Sequence, residues 1–131
     1  MNETISPALE ALYQGDRGRA ETLIAPDEQL PAYEAAAFGR IQRLERLLDE
    51  DPDAANARSP DGFTALHLAI FGGSDDAVRL LLDRGADPNA LATSEIARVR
   101  PLGTAAFVGR SDLEKILLEA GADPSLAPEE R

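Results

Sequence analysis

A chain of 131 residues is sized for one domain, and folding it buries about two-thirds of the surface that the unfolded form exposes, so a core forms without covalent staples. Cysteine is absent, which excludes disulfides, thiolate metal sites and a cysteine nucleophile and agrees with a reducing compartment. Twenty-four acidic residues against 13 basic ones give a formal charge of −11, shared by both halves. That balance disfavours nucleic acid and anionic membrane and favours a basic partner.

The first stretch, "MNETISPALEALYQGDRG", has neither a basic start nor a continuous apolar run. No later segment approaches the ~20 apolar residues that cross a bilayer, so the reading is a soluble, cytoplasmic chain. From residue 5 to 26 the pattern is a faint repeat unit keeping Ala11, Gly15, Leu23 and Ile24, followed by "APDEQLP" as a short connector. A second unit, 30 to 53, places Ala35, Gly39, Leu44, Leu47 and Leu48 at the same relative positions. The third, 64 to 88, and the fourth, 100 to 124, match best. Leu66, Ala69, Gly73, Leu81, Leu82, Gly85, Ala86, Asp87 and Pro88 each recur 36 residues later, from Leu102 to Pro124.

Each unit reads as two short helices. The first is of the length of Ala65 to Gly72, and a glycine-centred turn follows at Gly73 or Gly109. The second starts near Ser74 or Ser111, both read as N-caps with Asp behind them to meet the helix dipole. Val78, Leu81 and Leu82 recur at helical spacing as a buried stripe. Gly85 and Gly121 fall where a left-handed C-cap is needed, and Pro88 and Pro124 stop any continuation.

These residues resemble the ankyrin repeat, whose D-x-x-G-x-T-P-L-H-x-A pattern and closing V-x-x-L-L-x-x-G-A-D run are matched by "SPDGFTALHLAIFGGSDDAVRLLLDRGAD", with Ala65 in place of proline. The resemblance covers nearly the whole chain. It implies an all-α solenoid, a single domain of stacked antiparallel helix pairs with short β-hairpin-like finger loops, capped by the first and fourth units. Terminal units are then expected to be more polar outside. The chain departs from the pattern at three connections, that from Leu48 to Leu66 being one residue over the family spacing. The finger between units one and two is missing. The connection from Leu82 to Leu102 is three residues over the family spacing, with Arg100 and Gly103 in place of the signature Thr and His. Glu95, Ile96, Arg98 and Val99 are expected to project from that long loop.

His67, the single histidine, could be a catalyst, a ligand or a structural part. The resemblance implies the last, with Thr64 capping the helix and the imidazole tying neighbouring loops. Catalysis would need a nucleophile and an orienting acid, and Ser59, Asp61 and Thr64 nearby fit no catalytic motif. The run "DEDPD" lacks the spaced loop of a calcium site and reads as a solvated helix end, while the two "GADP" tetrads follow helices rather than open them, the wrong geometry for an anion. Arg40, Arg43 and Arg46 are expected to pair with Glu45, Asp49 and Glu50. No cofactor and no metal is expected.

Partner contacts implied by the resemblance are Arg58, Pro60, Asp61 and Phe63 on the first finger, and Phe38, Phe71, Phe107 and Val108 on the first helices, with Glu95 and Arg98 from the long loop. Phe63 is read as the exposed anchor. The expected function is a monomeric, non-enzymatic module recognising a protein partner through a concave face. An acidic immunity or inhibitor-type protein against a basic enzyme or toxin is a second reading, and an enzyme built on His67 is the rival of another class.

Overall fold

In the computed structural model, which describes residues 5–126, the chain forms α1 (Pro7–Tyr13), α2 (Arg17–Leu23), α3 (Ala32–Ala37), α4 (Ile41–Glu50), α5 (Ala65–Gly72), α6 (Asp75–Asp83), α7 (Pro101–Phe107) and α8 (Ser111–Glu119). Turns of two or three residues join α1 to α2, α3 to α4, α5 to α6 and α7 to α8, so each couple packs as an antiparallel pair. The fold is an all-α solenoid. No helix among the described residues is long and apolar enough to cross a membrane.

The second helices are amphipathic and bury one stripe each: Leu44 and Leu48 in α4, Ala77, Val78 and Leu81 in α6, Leu113 and Leu117 in α8. Helix α5 is apolar all round and is buried from Ala65 through Ile70, with α3, α6 and α7 packed about it. Contact with α3 is closest. Ala35, Ala36 and Ala37 are fully buried there, and a Cβ built on Gly72 would stand 1.9 Å from the Ala37 carbonyl oxygen. Small residues on both sides set the helix spacing.

Between units, asparagines supply a repeated link. Asn56 Nδ2 donates to the Gly85 carbonyl at 3.1 Å and its Oδ1 accepts from the Asp87 N–H at 2.8 Å. One unit on, Asn89 makes the same pair of bonds to Gly121 at 3.2 Å and Asp123 at 2.7 Å. Both closing glycines have the left-handed backbone expected of them, with φ of 94° at Gly85 and 108° at Gly121. Ser125, at the place where a third asparagine would stand, instead bonds back to Asp123.

The connections differ from each other as their lengths foretell. A 3-10 turn, Asp27–Gln29, carries the chain from α2 to α3. The finger before α5 is a bonded turn: Arg58 and Thr64 form an isolated antiparallel bridge, the one β pairing among the described residues. Asp51 caps the 3-10 turn Pro52–Asn56 through the Asp53 N–H, and this is where the "DEDPD" run is used.

Several expectations are corrected by packing. Ser74 caps α6 by accepting from the Ala77 N–H, whereas Ser111 is already inside α8 and Arg110 holds the cap position. Glu45 and Asp49 pair with Arg84 of the next unit, not with the arginines of their own helix. Arg40 goes to Glu21 of the first unit and Asp27 of the connector, and Arg43 to the Leu30 carbonyl at the start of its own unit. Arg40 and Arg84 therefore tie units together. Terminal units also retain apolar surface: Leu23 is 40% exposed, Leu118 45% and Leu126 38%.

Candidate functional site

Thr64 opens α5 as its N-cap and builds a buried polar cluster with His67. Its Oγ1 accepts from the His67 N–H at 3.2 Å and lies 2.7 Å from His67 Nδ1. His67 Nε2 is 2.8 Å from the carbonyl oxygen of Val99. A carbonyl only accepts, so Nε2 carries the proton and Nδ1 accepts from Thr64. Burial pushes the His67 pKa down to about 4, with the Arg58 charge adding to the effect and the Val99 bond opposing it. Both ring nitrogens are thus engaged and the ring is neutral, an arrangement that ties the finger of one unit to the loop of the next.

Around that tie, the finger and the long loop dock on each other. The Thr93 N–H donates to the Gly62 carbonyl at 2.9 Å, and Arg58 Nη1 donates to the carbonyls of Gly62 and Leu91, each at 3.1 Å. Gly62 has φ of 97°, and a Cβ there would meet the Ser94 nitrogen at 2.6 Å. Only glycine gives both the backbone conformation and the room. The loop then closes on itself through the Ala92 N–H and the Val99 carbonyl at 2.9 Å, leaving Ile96 69% exposed.

A cleft of about 380 Å³ opens between these loops and the first helices. Tyr13, Phe63, Leu68 and Phe71 form one side, and Ile96, Val99, Gly103, Thr104 and Phe107 the other. Tyr13 meets Phe63 and Phe71 edge-on, with ring centroids 6.0 and 5.8 Å apart. Tyr13 belongs to unit one and Phe71 to unit three. The rings touch because the corresponding residue of the intervening unit is only Ala37. Beneath them the Tyr13 hydroxyl and Asp61 Oδ2 are buried without an aligned hydrogen-bond partner. Burial, and then the Asp61 charge, push the Tyr13 phenol above its ordinary range.

The cleft is uncharged. Helices α5 and α7 carry no Asp, Glu, Lys or Arg, whereas α2, α4, α6 and α8 together hold ten acidic residues. The same four helices also hold six basic residues, so they account for −4 of the formal charge of −11.

Measured against the sequence reading, Phe71 is half-buried and lines the cleft, and Phe107 stands at its edge, 81% exposed. Glu95 and Arg98 are exposed on the loop and Pro60 is half-buried. Phe63 is not an exposed anchor: it is half-buried against Tyr13 and His67. Phe38 is 5% exposed and belongs to the core beside α1. Arg58 is spent on internal carbonyls, and Asp61 turns inward to Ser59. Tyr13, Leu68 and Thr104 were not foreseen. Counting back from the turn glycines would have found the first. Tyr13, Ala37, Phe71 and Phe107 each lie two residues before Gly15, Gly39, Gly73 and Gly109, while Phe38 lies one residue before and so faces another way.

Fold and site together define a helical-repeat protein with an apolar cleft between its first helices and loops. The sequence profile described as Ankyrin repeats (3 copies) matches residues 5–92 and again 33–127, and the chain belongs to the ankyrin-repeat family, whose members are built as protein-protein interaction modules and are in general not catalysts. It is 34% identical over 96 residues to the human transient receptor potential cation channel subfamily A member 1, covering 65% of this chain and 9% of that protein. It is 33% identical over 81 residues to human ankyrin repeat and SOCS box protein 3, covering 60% of this chain and 16% of the relative. The chain thus spans a small part of the curated relatives it matches. Among solved structures it is similar to the human ASB11 ankyrin repeat domain, with a TM-score of 0.64 and 30% identity over 76% of this chain and 43% of the other. A second likeness, at TM-score 0.65 and 24% identity, covers 77% of this chain and 51% of a chain in the structure of a predatory endopeptidase from Bdellovibrio bacteriovorus in complex with an immunity protein.

Proposed function

We propose that this chain is a non-catalytic recognition module, acting as a cytoplasmic monomer, that binds one protein partner through the face of its first helices and the adjoining finger and loop, and so regulates or neutralises that partner. The observation that carries this reading is a convergence. Among the described residues the two most exposed large apolar side chains, Ile96 and Phe107, stand at the same cleft that the aromatic residues Tyr13, Phe63 and Phe71 line. Apolar residues grouped on a preformed surface are what binding hot spots are made of, and a rigid surface lowers the ordering cost of association. Partner contacts fall on Phe71, Glu95, Ile96, Arg98 and Phe107.

A second reading within this one is an acidic inhibitor or immunity-type protein directed at a basic enzyme or toxin, and the charge of −11 favours it. The test is capture of partners from native lysate by the wild type and by an Ile96→Ser, Phe107→Ser variant checked for folding by circular dichroism, each at low and high salt. A partner held by the wild type and lost by the variant supports recognition by this face. Retention by the folded variant sinks it, and capture indifferent to salt sinks the basic-partner reading.

A further inference from the structure

A unit that merely ended the stack would touch the unit beside it and no other. Unit one reaches further. Tyr13 of α1 meets Phe63 and Phe71 of unit three edge-on, and Arg17 at the start of α2 donates to the Gly72 carbonyl of that same unit. Leu68, also of unit three, is buried in one apolar cluster with Ala8, Leu9, Ala11 and Leu12 of α1 and with Ala37 and Phe38. The first helix pair is therefore laid over α3 and α5. Two features admit it: the missing finger after unit one, and the small Ala37 where the other units carry Tyr13, Phe71 and Phe107.

The hold of this pair on the rest differs from the hold between units two, three and four. Those three share one core, running from Leu44 and Leu48 through Leu66, Val78 and Leu81 to Leu113 and Leu117. Unit one keeps a second cluster, and only Ile24 and Tyr33 border both. Its polar ties to units two and three are Ser6 Oγ donating to Glu34 at 2.7 Å, Arg17 on the Gly72 carbonyl, and Glu21 paired with the partly exposed Arg40 at 2.8 Å, a kind of pair that contributes little in water. Among the described residues, the two buried side-chain polar atoms without a hydrogen-bond partner, the Tyr13 hydroxyl and Asp61 Oδ2, both lie at this seam. Separation returns them to water and offsets part of the apolar burial that is lost. The connector supplies the hinge. Its residues 26–29 are exposed, and the chain rejoins the shared core at Leu30.

We infer that unit one is an intramolecular cover of the first-helix face, which comes away as one unit on its connector while units two to four stay folded, and so controls how much apolar surface the chain presents. Closed, the face is the cleft beside Ile96 and Phe107, with Tyr13 in its wall. Open, Leu68, Phe63 and Phe71 are uncovered and the cleft lengthens along α3, α5 and α7. The recognition reading above stands or falls separately, since Ile96 and Phe107 are exposed with the cover in place.

The absence of cysteine allows a single thiol to report on this. Leu68 and Ala69 are buried neighbours on α5, but Leu68 lies under unit one and Ala69 in the shared core. Leu68→Cys and Ala69→Cys, each checked for folding by circular dichroism, are treated with a thiol reagent in native buffer, and each rate is divided by that of the unfolded variant. Leu68→Cys is expected to react roughly tenfold or more faster, and its rate to rise less steeply with urea, because a local opening exposes less surface than global unfolding. Equal rates, or equal urea slopes, overturn the inference. The unsubstituted protein gives an independent measurement. Helices of seven residues do not hold once off their support, so the amides of α1 and α2 should exchange as one group, roughly tenfold or more ahead of those of α3 and α5. Exchange of all four helices at one rate overturns the inference as well.

Discussion

His67 Nε2 lies 2.8 Å from the carbonyl oxygen of Val99, 32 residues further on, and this bond hangs the wall of the cleft on the core of the preceding unit. The imidazole must stay neutral there, because Nδ1 accepts from Thr64 and burial holds the pKa down to about 4 against an ordinary 6.5. The unfolded chain takes up the proton first as pH falls. The stabilisation is therefore complete above pH 6.5 and is lost between 6.5 and 4, by an amount of order 3 kcal/mol. Denaturant midpoints measured across that window should fall more steeply for the wild type than for His67→Gln, which has no proton to gain. Parallel curves would mean that the imidazole is not buried neutral.

Removing the ring altogether tests the same tie at fixed pH. In His67→Ala the Thr64 N–H loses its side-chain partner and the Val99 carbonyl keeps only the Ala92 N–H, and the expected cost is ~1 to 3 kcal/mol. Amide exchange at Val99 and Thr93 should rise more than at Leu117. Uniform acceleration through the chain would show that the loop is not a separate unit.

Gly72 is expected to tolerate no side chain. A Cβ would fall 1.9 Å from the Ala37 carbonyl oxygen, so α3 and α5 must separate, and a helix-favouring change to alanine becomes destabilising by ~1 to 3 kcal/mol or more. Thermal unfolding of Gly72→Ala decides this. A raised melting temperature, the usual result of replacing a helical glycine, would contradict the close approach.

The asparagine links predict a local effect. Asn89→Ala removes two bonds to the last unit, to Gly121 and Asp123, at exposed positions where water replaces much of the loss, so the cost is about 1 kcal/mol. Hydrogen exchange should quicken at Asp123 and stay unchanged at Asp87, which Asn56 holds. The reverse variant, Asn56→Ala, should invert the pattern.

The Tyr13 hydroxyl is buried beside Asp61 without an aligned hydrogen-bond partner. Tyr13→Phe keeps the edge-on rings and deletes an unpaired polar atom, and stability at neutral pH is expected to hold or rise by about 1 kcal/mol. The phenol's raised pKa makes its contribution present below pH 10.0 and lost above it, so the alkaline fall in stability should be smaller in the variant. A loss on substitution would establish a bond from Tyr13 to Asp61.

What the sequence determined by itself was whatever depends on near neighbours. Apolar residues at helical spacing, a turn glycine at a constant place and the run from Leu81 to Pro88 repeated at Leu117 to Pro124 are local signals, and they dictate helix pairs wherever they occur. The structural use of His67 was legible through the family resemblance, in which Thr64 stands three residues before it. The tertiary structure alone decided which aromatic rings face outward. Phe71 and Phe107 stand at the same place before their turn glycines, yet one is half-buried and the other 81% exposed. Exposure is set by what packs from a neighbouring unit: Tyr13 beside Phe71, and open space beside Phe107. The partners of the arginines were decided in the same way, because Arg84 and Arg110 reach carboxylates 35 or more residues back along the chain. The cleft lies furthest from sequence, being the space left where a missing side chain at Gly103 and a lengthened loop coincide, and no pattern along the chain encodes the volume between two elements.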